Sequence, residues 1–557
     1  MNLQPIFNLA QICHLKGIKH AVISPGSRNA ALTIAFVRHP QIKCYSVPDE
    51  RSAAFMALGI SLKTGRPTAL ICTSGSAALN YAPAVAEAYF NQVPLLILSA
   101  DRPPEWIGQR DGQTIYQDNL FGRHIKKSFI FPSLEEDQES NQRGQEIINE
   151  AINTSISEDK GPVHVNIPFR EPFYPDETTI YEYSNGVELI EPMLPISENL
   201  DQSAVEISGY KKILLVVGQS AKDDSLNALL SNLSSQHDIP IVSDIISNAN
   251  DVAGVITSQD VFLKELKDDR LKPDLLITVG LSVISKNLKI FLRNNRPKAH
   301  WHMRREENVP DTYLALTRHI SSDAKDFLQA LSAKFSKNES QAAFQKTWQE
   351  INNRTKTHIE RYDSKFFSDF NSYKKVLDSL PVGIDLHLAN SMAVRYANVI
   401  GLKPKQNIEV YCNRGTSGID GSNSTAIGSA LMTDKQVFLL TGDMAFLYDR
   451  NAFWHNHLTD NMHIVVFNNH GGGIFRMIDG PSKQPELQEF FETRQKKDAK
   501  LVAQEYEFEY YSSQSENELI QVLPKFMQKG KRKILEIFTD AEQSKVAFKE
   551  LFRKLSD

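Results

Sequence analysis

Val437-Phe438-Leu439-Leu440-Thr441-Gly442-Asp443 and Ile464-Val465-Val466-Phe467-Asn468-Asn469 are two apolar runs that each stop on polar side chains, with Asp443 and Asn469 standing 26 positions apart. A short apolar run that closes on Gly-Asp reads as a buried parallel strand delivering a carboxylate to the carboxyl edge of a sheet. The span between the runs, Ala445 to His457, reads as the crossover helix of a βαβ unit. Both motifs then finish at the same edge, where open α/β sheets bind their ligands. A carboxylate and an amide oxygen converging there, with Gly471, Gly472 and Gly473 behind them, suit a hard cation that holds a diphosphate. Mg2+ takes few protein oxygens and completes its shell with phosphate and water.

The same alternation of apolar strands and amphipathic helices repeats on both sides. A first stretch carries strands at Ala21-Val22-Ile23, Ala69-Leu70-Ile71, Leu95-Leu96-Ile97-Leu98 and Val163-His164-Val165. A Pro- and acid-rich linker follows from Glu171 to Asn199. A second stretch carries Ile213 to Gly218, Ile241-Val242 and Leu275 to Gly280, and a polar helical segment from Lys334 to Tyr373 leads to the third. The third adds Ile384-Asp385-Leu386, Ile408 to Tyr411 and Ile534 to Ile537 to the two opening runs. The fold class is α/β, with three doubly wound parallel-sheet domains expected at 1–180, 195–335 and 360–557.

Composition excludes several classes. The chain has 557 residues, 41% of them hydrophobic and 23% charged, and 62 Lys and Arg against 67 Asp and Glu leave a net charge of −5. That balance does not suit a nucleic-acid binder. Cys13, Cys44, Cys72 and Cys412 are scattered without a CxxC pair, which points to reduced thiols in a cytoplasmic protein and away from zinc. No run reaches the length of a membrane helix, and Met1 to Gln11 lacks the basic and apolar regions of a signal peptide. Pro481 to Lys500, charged and poor in glycine, reads as a mobile helical lid.

The Gly-Asp to Asn-Asn pattern resembles the cofactor motif of thiamine-diphosphate (ThDP) enzymes, and the three-domain order resembles their decarboxylase group. The family's third motif residue, glycine, is Met444 here, at a position that gives no side chain to the metal. The resemblance implies Mg2+ or Mn2+ held by the side chains of Asp443 and Asn469 and the carbonyl of Gly471. The first domain must then supply a glutamate. Glu50, in Val47-Pro48-Asp49-Glu50-Arg51, ends a strand and opens a helix from Ser52 to Lys63. In the family such a glutamate bonds the pyrimidine nitrogen and promotes loss of the thiazolium C2 proton, a role for which a largely desolvated carboxyl is expected. Read alone, Asp49-Glu50 is better taken as a helix N-terminal acidic pair favoured by the dipole, and only the cofactor motifs in the right domain order reverse that.

Further segments narrow the family: Ser24-Pro25-Gly26-Ser27-Arg28, Thr73-Ser74-Gly75-Ser76, Ala100-Asp101-Arg102-Pro103-Pro104-Glu105, Asn390-Ser391 with Arg395, Asn413-Arg414-Gly415-Thr416-Ser417-Gly418-Ile419-Asp420-Gly421, and Gly473-Ile474-Phe475. Together they resemble, across nearly the whole chain, the 2-succinyl-5-enolpyruvyl-6-hydroxy-3-cyclohexene-1-carboxylate (SEPHCHC) synthases of menaquinone biosynthesis. The implied reaction decarboxylates 2-oxoglutarate on ThDP and adds the succinic-semialdehyde carbanion equivalent to isochorismate. Both substrates are dianions, which gives Arg28, Arg102, Arg395 and Arg414 at strand ends a chemical purpose, since a guanidinium binds carboxylate bidentately and stays charged.

By the same resemblance, Ser391 and Arg395 hold the distal carboxylate of 2-oxoglutarate. Ser27, Arg28, Arg102 and Gln113 face isochorismate, and Arg414 also binds substrate. Lys286 reaches the pocket from the middle domain, where Asn287 replaces a frequent family arginine, and Arg293 and Arg304 are candidates to compensate. Ser74, Gly75, Gly415, Ser417, Gly418, Gly442, Met444 and Gly472 contact the cofactor, and Ile419 wedges its two rings apart. Ile474, Phe475 and Ile478 wall the reacting carbons, although each could also be an ordinary core residue. His470, within the Asn-Asn-His-Gly run, is a candidate diphosphate contact. His455 and His457 fall on different faces of a helix, and His14, His20 and His39 lack ligand spacing. Gly218-Gln219-Ser220 is a nucleotide-like turn without a following GxGxxG, so neither FAD nor NAD is expected. In the family ThDP lies between the first domain of one subunit and the third domain of another, so a homodimer or homotetramer is implied, with no nucleic-acid partner and no membrane insertion.

Overall fold

The computed structural model describes residues 3–132, 138–171, 173–174, 181–184, 186–192, 206–266, 268–305 and 309–556. Much of the expected linker from Glu171 to Asn199 lies outside the described residues.

Three sheets form, and every strand pair in them is parallel. The first contains β1 (His20–Ile23), β2 (Lys43–Ser46), β3 (Thr68–Cys72), β4 (Leu95–Asp101), β5 (Lys127–Ile130) and β6 (Pro162–Pro168) in the order β2-β1-β3-β4-β6-β5. The second contains β7 (Ile213–Val217), β8 (Ile241–Ser243), β9 (Leu275–Val279), β10 (Ala299–Met303) and β11 (Leu316–Ile320) in the order β11-β10-β9-β7-β8. The third contains β12 (Asp385–Leu388), β13 (Glu409–Tyr411), β14 (Val437–Gly442), β15 (Met462–Asn468), β16 (Glu509–Ser513) and β17 (Lys533–Phe538) in the order β13-β12-β14-β15-β17-β16. The first and third sheets therefore share one winding order. Central strands such as β3, β4 and β15 are buried at every residue, as helices on both faces require.

Winding reverses between β1 and β3 in the first sheet and between β12 and β14 in the third. A crevice opens where the order reverses, outside the carboxyl ends of the strands. Ser24 to Arg28 and Thr73 to Gly75 leave the sheet at the first reversal, and Asn390-Ser391 and Gly442-Asp443 at the second. At the first reversal the two loops touch so closely that a Cβ on Gly26 would lie 2.4 Å from Thr73 Cβ.

The first and third domains dock through helices at equivalent places in the two windings. The Glu50–Thr64 helix, between β2 and β3, packs along the Ser422–Ala430 helix, between β13 and β14. The contact is backbone on backbone. A Cβ on Gly59 would fall 2.0 Å from the Thr425 carbonyl oxygen, and one on Gly428 would fall 2.0 Å from that of Met56. The middle domain leans on the third through Gln219, whose Nε2 donates to Cys412 O at 2.9 Å, and Asn248, which bonds the Val410 backbone in both directions.

Four expectations change in detail. The crossover helix is Asp443–Tyr448 followed by a short turn at Arg450–Phe453, not a helix from Ala445 to His457. The chain turns there because the buried Asp449 carboxylate accepts from Ser424 N–H at 2.7 Å and Ser424 O–H at 2.8 Å. His455 and His457 consequently lie beyond that turn, with His457 N–H donating to His455 Nδ1 at 3.0 Å and Ser46 N–H donating to His457 Nε2 at 3.0 Å. Pro481 to Lys500 forms two short turns, Pro481–Lys483 and Leu487–Phe491, because Glu492 and Gln495 beyond them turn inward. The helix expected from Ser52 starts at Glu50, capped by Asp49, which accepts from Ser52 N–H at 3.0 Å, and stops at Gly65, whose φ is +66°. Among the described residues no helix is long and apolar enough to cross a membrane.

Candidate active site

Parallel pairing of β14 with β15 aligns Gly442 with Phe467, so Asp443 and Asn469 leave neighbouring strands at one edge. The Asp443 carboxylate is buried, and burial pushes it up to about 7 against the hydrogen bond from Gln495, with Asp369 nearby adding to the rise. Gln495 Nε2 donates to it at 2.7 Å, and the Met444 and Gly471 N–H groups also bond it. The two asparagines divide their work. Asn468 is structural, donating to Glu536 at 2.7 Å and accepting from His470 N–H at 3.0 Å. Asn469 donates from Nδ2 to Asp369 at 3.0 Å, while its Oδ1 is buried without a hydrogen-bond partner. His470 sits at φ +63° with Nδ1 buried and unpartnered.

The glycines behind the motif sit close against the side chains of the site. A Cβ on Gly473 would meet Asn469 Nδ2 at 2.8 Å, and one on Gly472 would press the Phe475 ring at 3.2 Å. Ile474 and Phe475 are half-buried and Ile478 is exposed, so these three form an open wall and not part of the core.

At the β12 end, Ser391 adopts φ +66° and ψ −127°, a strained conformation for a residue with a side chain. Arg395, one turn into the following helix, donates back to Ser391 O. Asn390 ties this turn to the next loop by donating to Asn413 O at 2.6 Å and Gly418 O at 2.7 Å, and it accepts from Arg414 Nη1 at 3.0 Å. Burial and the neighbouring Arg414 charge both depress the Arg395 guanidinium. Gly415 N–H and Thr416 N–H each donate to the buried Glu87 carboxylate at 2.7 Å, so a first-domain acid fixes the loop that carries Arg414, Ser417, Gly418 and Ile419. Ser417 sits at φ +63°, and Ile419 lies half-buried against the third domain's core.

In the first domain, Arg102 binds Gly112 O at 2.6 Å and Asp111 at 2.9 Å, drawing in the loop with Gln113. That loop meets Gly75, where a Cβ would lie 3.2 Å from Gln113 O, and Gly75 N–H donates to Gln117 at 2.8 Å. Ser74 is buried with an unpartnered hydroxyl, and Ser27 is exposed. Arg28 is buried over the Phe173 ring and donates to Phe169 O at 2.9 Å. Glu50 is half-buried at the first turn of its helix, and it accepts from Asn80 at 3.5 Å.

Lys286 is exposed at the first turn of the Lys286–Asn294 helix, and Asn287 bonds Asp260. Arg293 is occupied by Thr312 O at 2.9 Å, and Arg304 reaches Gln92 of the first domain at 3.0 Å. The middle-domain cation coupled to Arg414 is instead Lys289, lowered by burial and then by that guanidinium. Gly218 is needed for a close loop approach, since a Cβ there would fall 2.0 Å from Leu281 O. Sequence reasoning missed Asp369, Glu87, Gln117, Lys289 and Gln495, none of which sits in a recognisable motif.

No group of three His, Cys, Asp or Glu among the described residues could hold a metal. One carboxylate, an amide oxygen and a backbone carbonyl nevertheless fit a hard cation, and the orphaned Asn469 Oδ1 is the atom a cation would satisfy.

Residues 7–121 match the thiamine pyrophosphate enzyme N-terminal TPP binding domain, residues 190–386 the middle domain of thiamine pyrophosphate enzymes, and residues 392–537 the C-terminal TPP binding domain. The chain is 44% identical to a 2-succinyl-5-enolpyruvyl-6-hydroxy-3-cyclohexene-1-carboxylate synthase of Cytophaga hutchinsonii, covering 99% of each chain. The chain belongs to the SEPHCHC synthase family. Proteins of the same name from Flavobacterium johnsoniae, 40% identical over 99% of this chain and 98% of theirs, and Porphyromonas gingivalis, 33% identical over 98% and 96%, extend the similarity. It is thus a ThDP-dependent enzyme of three parallel-sheet domains, and the reversals in the first and third sheets carry the family's motifs.

Proposed function

We propose that the chain removes CO2 from 2-oxoglutarate and joins the remaining four-carbon unit to isochorismate, giving SEPHCHC for menaquinone biosynthesis. The carrying observation is the Arg395, Asn390 and Arg414 cluster at the β12/β14 reversal, beside the Asp443 edge. Among the described residues neither guanidinium has an ion-paired carboxylate, and burial and then the Arg414 charge depress Arg395, as befits a cation awaiting an anion.

ThDP, when bound, supplies the electron sink that stabilises the charge left by departing CO2. Asp443, Asn469 and Gly471 would hold Mg2+ or Mn2+ on the diphosphate, with Gly442, Met444 and Gly472 lining the cradle. Ser74, Gly75, Gly415, Ser417 and Gly418 would line the rest of the cofactor site. Glu50 would hold a proton at the pyrimidine nitrogen, and Ile419 would keep the rings apart. Ser391 and Arg395 would grip the distal carboxylate of 2-oxoglutarate. Ser27, Arg28, Arg102, Gln113, Arg414 and Lys286 would orient the second dianion. Ile474, Phe475 and Ile478 would exclude water from the reacting carbons.

The site is shared between subunits in this reading. Within one chain Glu50 accepts from Asn80 of its own domain at 3.5 Å, and Asp443 accepts from Gln495 of its own at 2.7 Å. A homodimer or homotetramer would bring Glu50 of one chain to Asp443 of another, with the divisions at 1–180, 195–335 and 360–557 and the enzyme working in the cytoplasm. Isochorismate consumption by the purified protein with ThDP and Mg2+ tests the proposal. Loss with 2-oxoglutarate and not with pyruvate is expected. Loss with pyruvate would make the chain a carboligase for another 2-oxo acid, and sedimentation of the active protein as a monomer would refute the shared site.

A further inference from the structure

Asn469 can be a metal ligand only if its amide presents oxygen outward, and an amide by itself has no such preference, since its two ends are nearly isosteric. Something must hold the nitrogen inward. Asp369, the first residue of the Asp369–Ser379 helix, lies 100 positions away in sequence and accepts from Asn469 Nδ2 at 3.0 Å through Oδ2. Its other oxygen, Oδ1, accepts from the Thr539 hydroxyl. An ionised carboxylate accepts and never donates, so it selects the nitrogen. Asp369 is itself fixed, because it is buried and its backbone N–H donates to Ser544 Oγ at 2.9 Å. Thr539 follows β17 and Ser544 lies in the Ala541–Ser556 helix, so the clamp ties three segments of the third domain to one amide. The consequence is visible in the orphaned Asn469 Oδ1, buried and unpartnered.

We propose that Asp369 is the positioning residue of the metal site, locking the Asn469 amide with its nitrogen inward so that its oxygen is committed to the cation. This rests on the reading of Asp443, Asn469 and Gly471 as the ligands.

The test is Mn2+ binding to the apoprotein with saturating ThDP, read by the loss of the free-ion resonance, with circular dichroism and melting as fold controls. Asp369→Ala is expected to weaken Mn2+ by about tenfold to a hundredfold, the range found when a group supporting a metal ligand is removed. Asp369→Asn can donate as well as accept, so it no longer dictates which end of the Asn469 amide faces the cation, and it is expected to bind Mn2+ more weakly than the parent; binding equal to the parent would show that the carboxylate does not set the amide. A purely structural role would lower the melting temperature of Asp369→Ala and leave Mn2+ affinity of the folded protein unchanged. That result overturns the proposal while the ligand reading stands, provided Asp443→Ala loses Mn2+. Unchanged binding in Asp443→Ala would overturn both. If Asp369→Ala does not fold, the exchange decides. Asn469→Asp sets a carboxylate against Asp369 and should bind poorly. Adding Asp369→Asn restores a donor and acceptor pair and should recover binding, and a failure to recover refutes the clamp.

Discussion

Gly59→Ala adds one methyl group where two domains meet. Its Cβ would stand 2.0 Å from the Thr425 carbonyl oxygen, 2.9 Å from the Thr425 carbonyl carbon and 3.0 Å from Ser429 N. Comfortable C···O contact is about 3.3 Å or more, so the helices must part by roughly an ångström. All three obstructing atoms are backbone, which cannot rotate away as a side chain would. Helix propensity pulls the other way, since alanine is worth about 1 kcal/mol over glycine inside a helix. Overpacking costs of about 1–3 kcal/mol, or more against rigid neighbours, outweigh it. A net loss of about 2 kcal/mol is expected, seen as a drop of roughly 4–8 °C in the first melting transition for a domain of this size. Gly428→Ala should do the same from the other side, where Met56 O lies 2.0 Å from the added carbon. Because one separation relieves both clashes, the double variant should lose clearly less than the sum of the singles. Differential scanning calorimetry reads all three. A Gly59→Ala protein that melts higher than the parent would show that propensity wins and that the close helix contact is wrong.

Three other outcomes follow from the site. Arg395→Ala should raise KM for 2-oxoglutarate by about 30-fold or more, a charge-assisted bond of roughly 2 kcal/mol or greater, with ThDP affinity unchanged; an unchanged KM would remove Arg395 from the carboxylate site. Glu50→Gln should cut kcat by about a hundredfold to ten-thousandfold while leaving Mg2+ and ThDP binding intact, measured by turnover and calorimetry, and full activity would refute its assignment. Asp449 is raised by burial to about 7 from 3.8, so the folded chain holds a proton that the unfolded chain releases, and stability falls as pH climbs from about 4 to 7. Asp449→Asn, which can still bond both Ser424 groups, should remove that slope, worth roughly 3–4 kcal/mol across the window; urea midpoints with the same pH slope in both proteins would contradict it.

The interior strands were legible because they are apolar runs that end on motifs. β5, β11 and β16 gave no such run, since each is a sheet edge with exposed residues along it. β10 hid for another reason. Its His300 and His302 are buried polar residues, both bonded to Thr278 Oγ1, at 2.9 Å and 2.7 Å, and no local pattern reveals those bonds. In the site, residues at strand ends were readable because parallel topology gathers strand ends. Asp369, Glu87 and Gln495 were not, because each acts across 50 or more positions on a backbone or side chain that only the fold brings near. The helix expected over Pro481 to Lys500 is broken for a similar reason, since Glu492 turns inward to Arg476 and Gln495 to Asp443.

The glycine crossing also sets a timetable for synthesis. Gly59 leaves the ribosome 369 residues before Gly428, its reciprocal contact. At ordinary elongation speeds the first domain therefore waits roughly 20–70 s for the surface it docks on. Through that interval the docking face of the Glu50–Thr64 helix, with Phe55 and Met56, has no partner from its own chain. A nascent chain in that state is open to capture by the finished third domain of a neighbour on the same message. Slow translation of the last domain would thus favour exchanged pairs and aggregates over correctly closed chains.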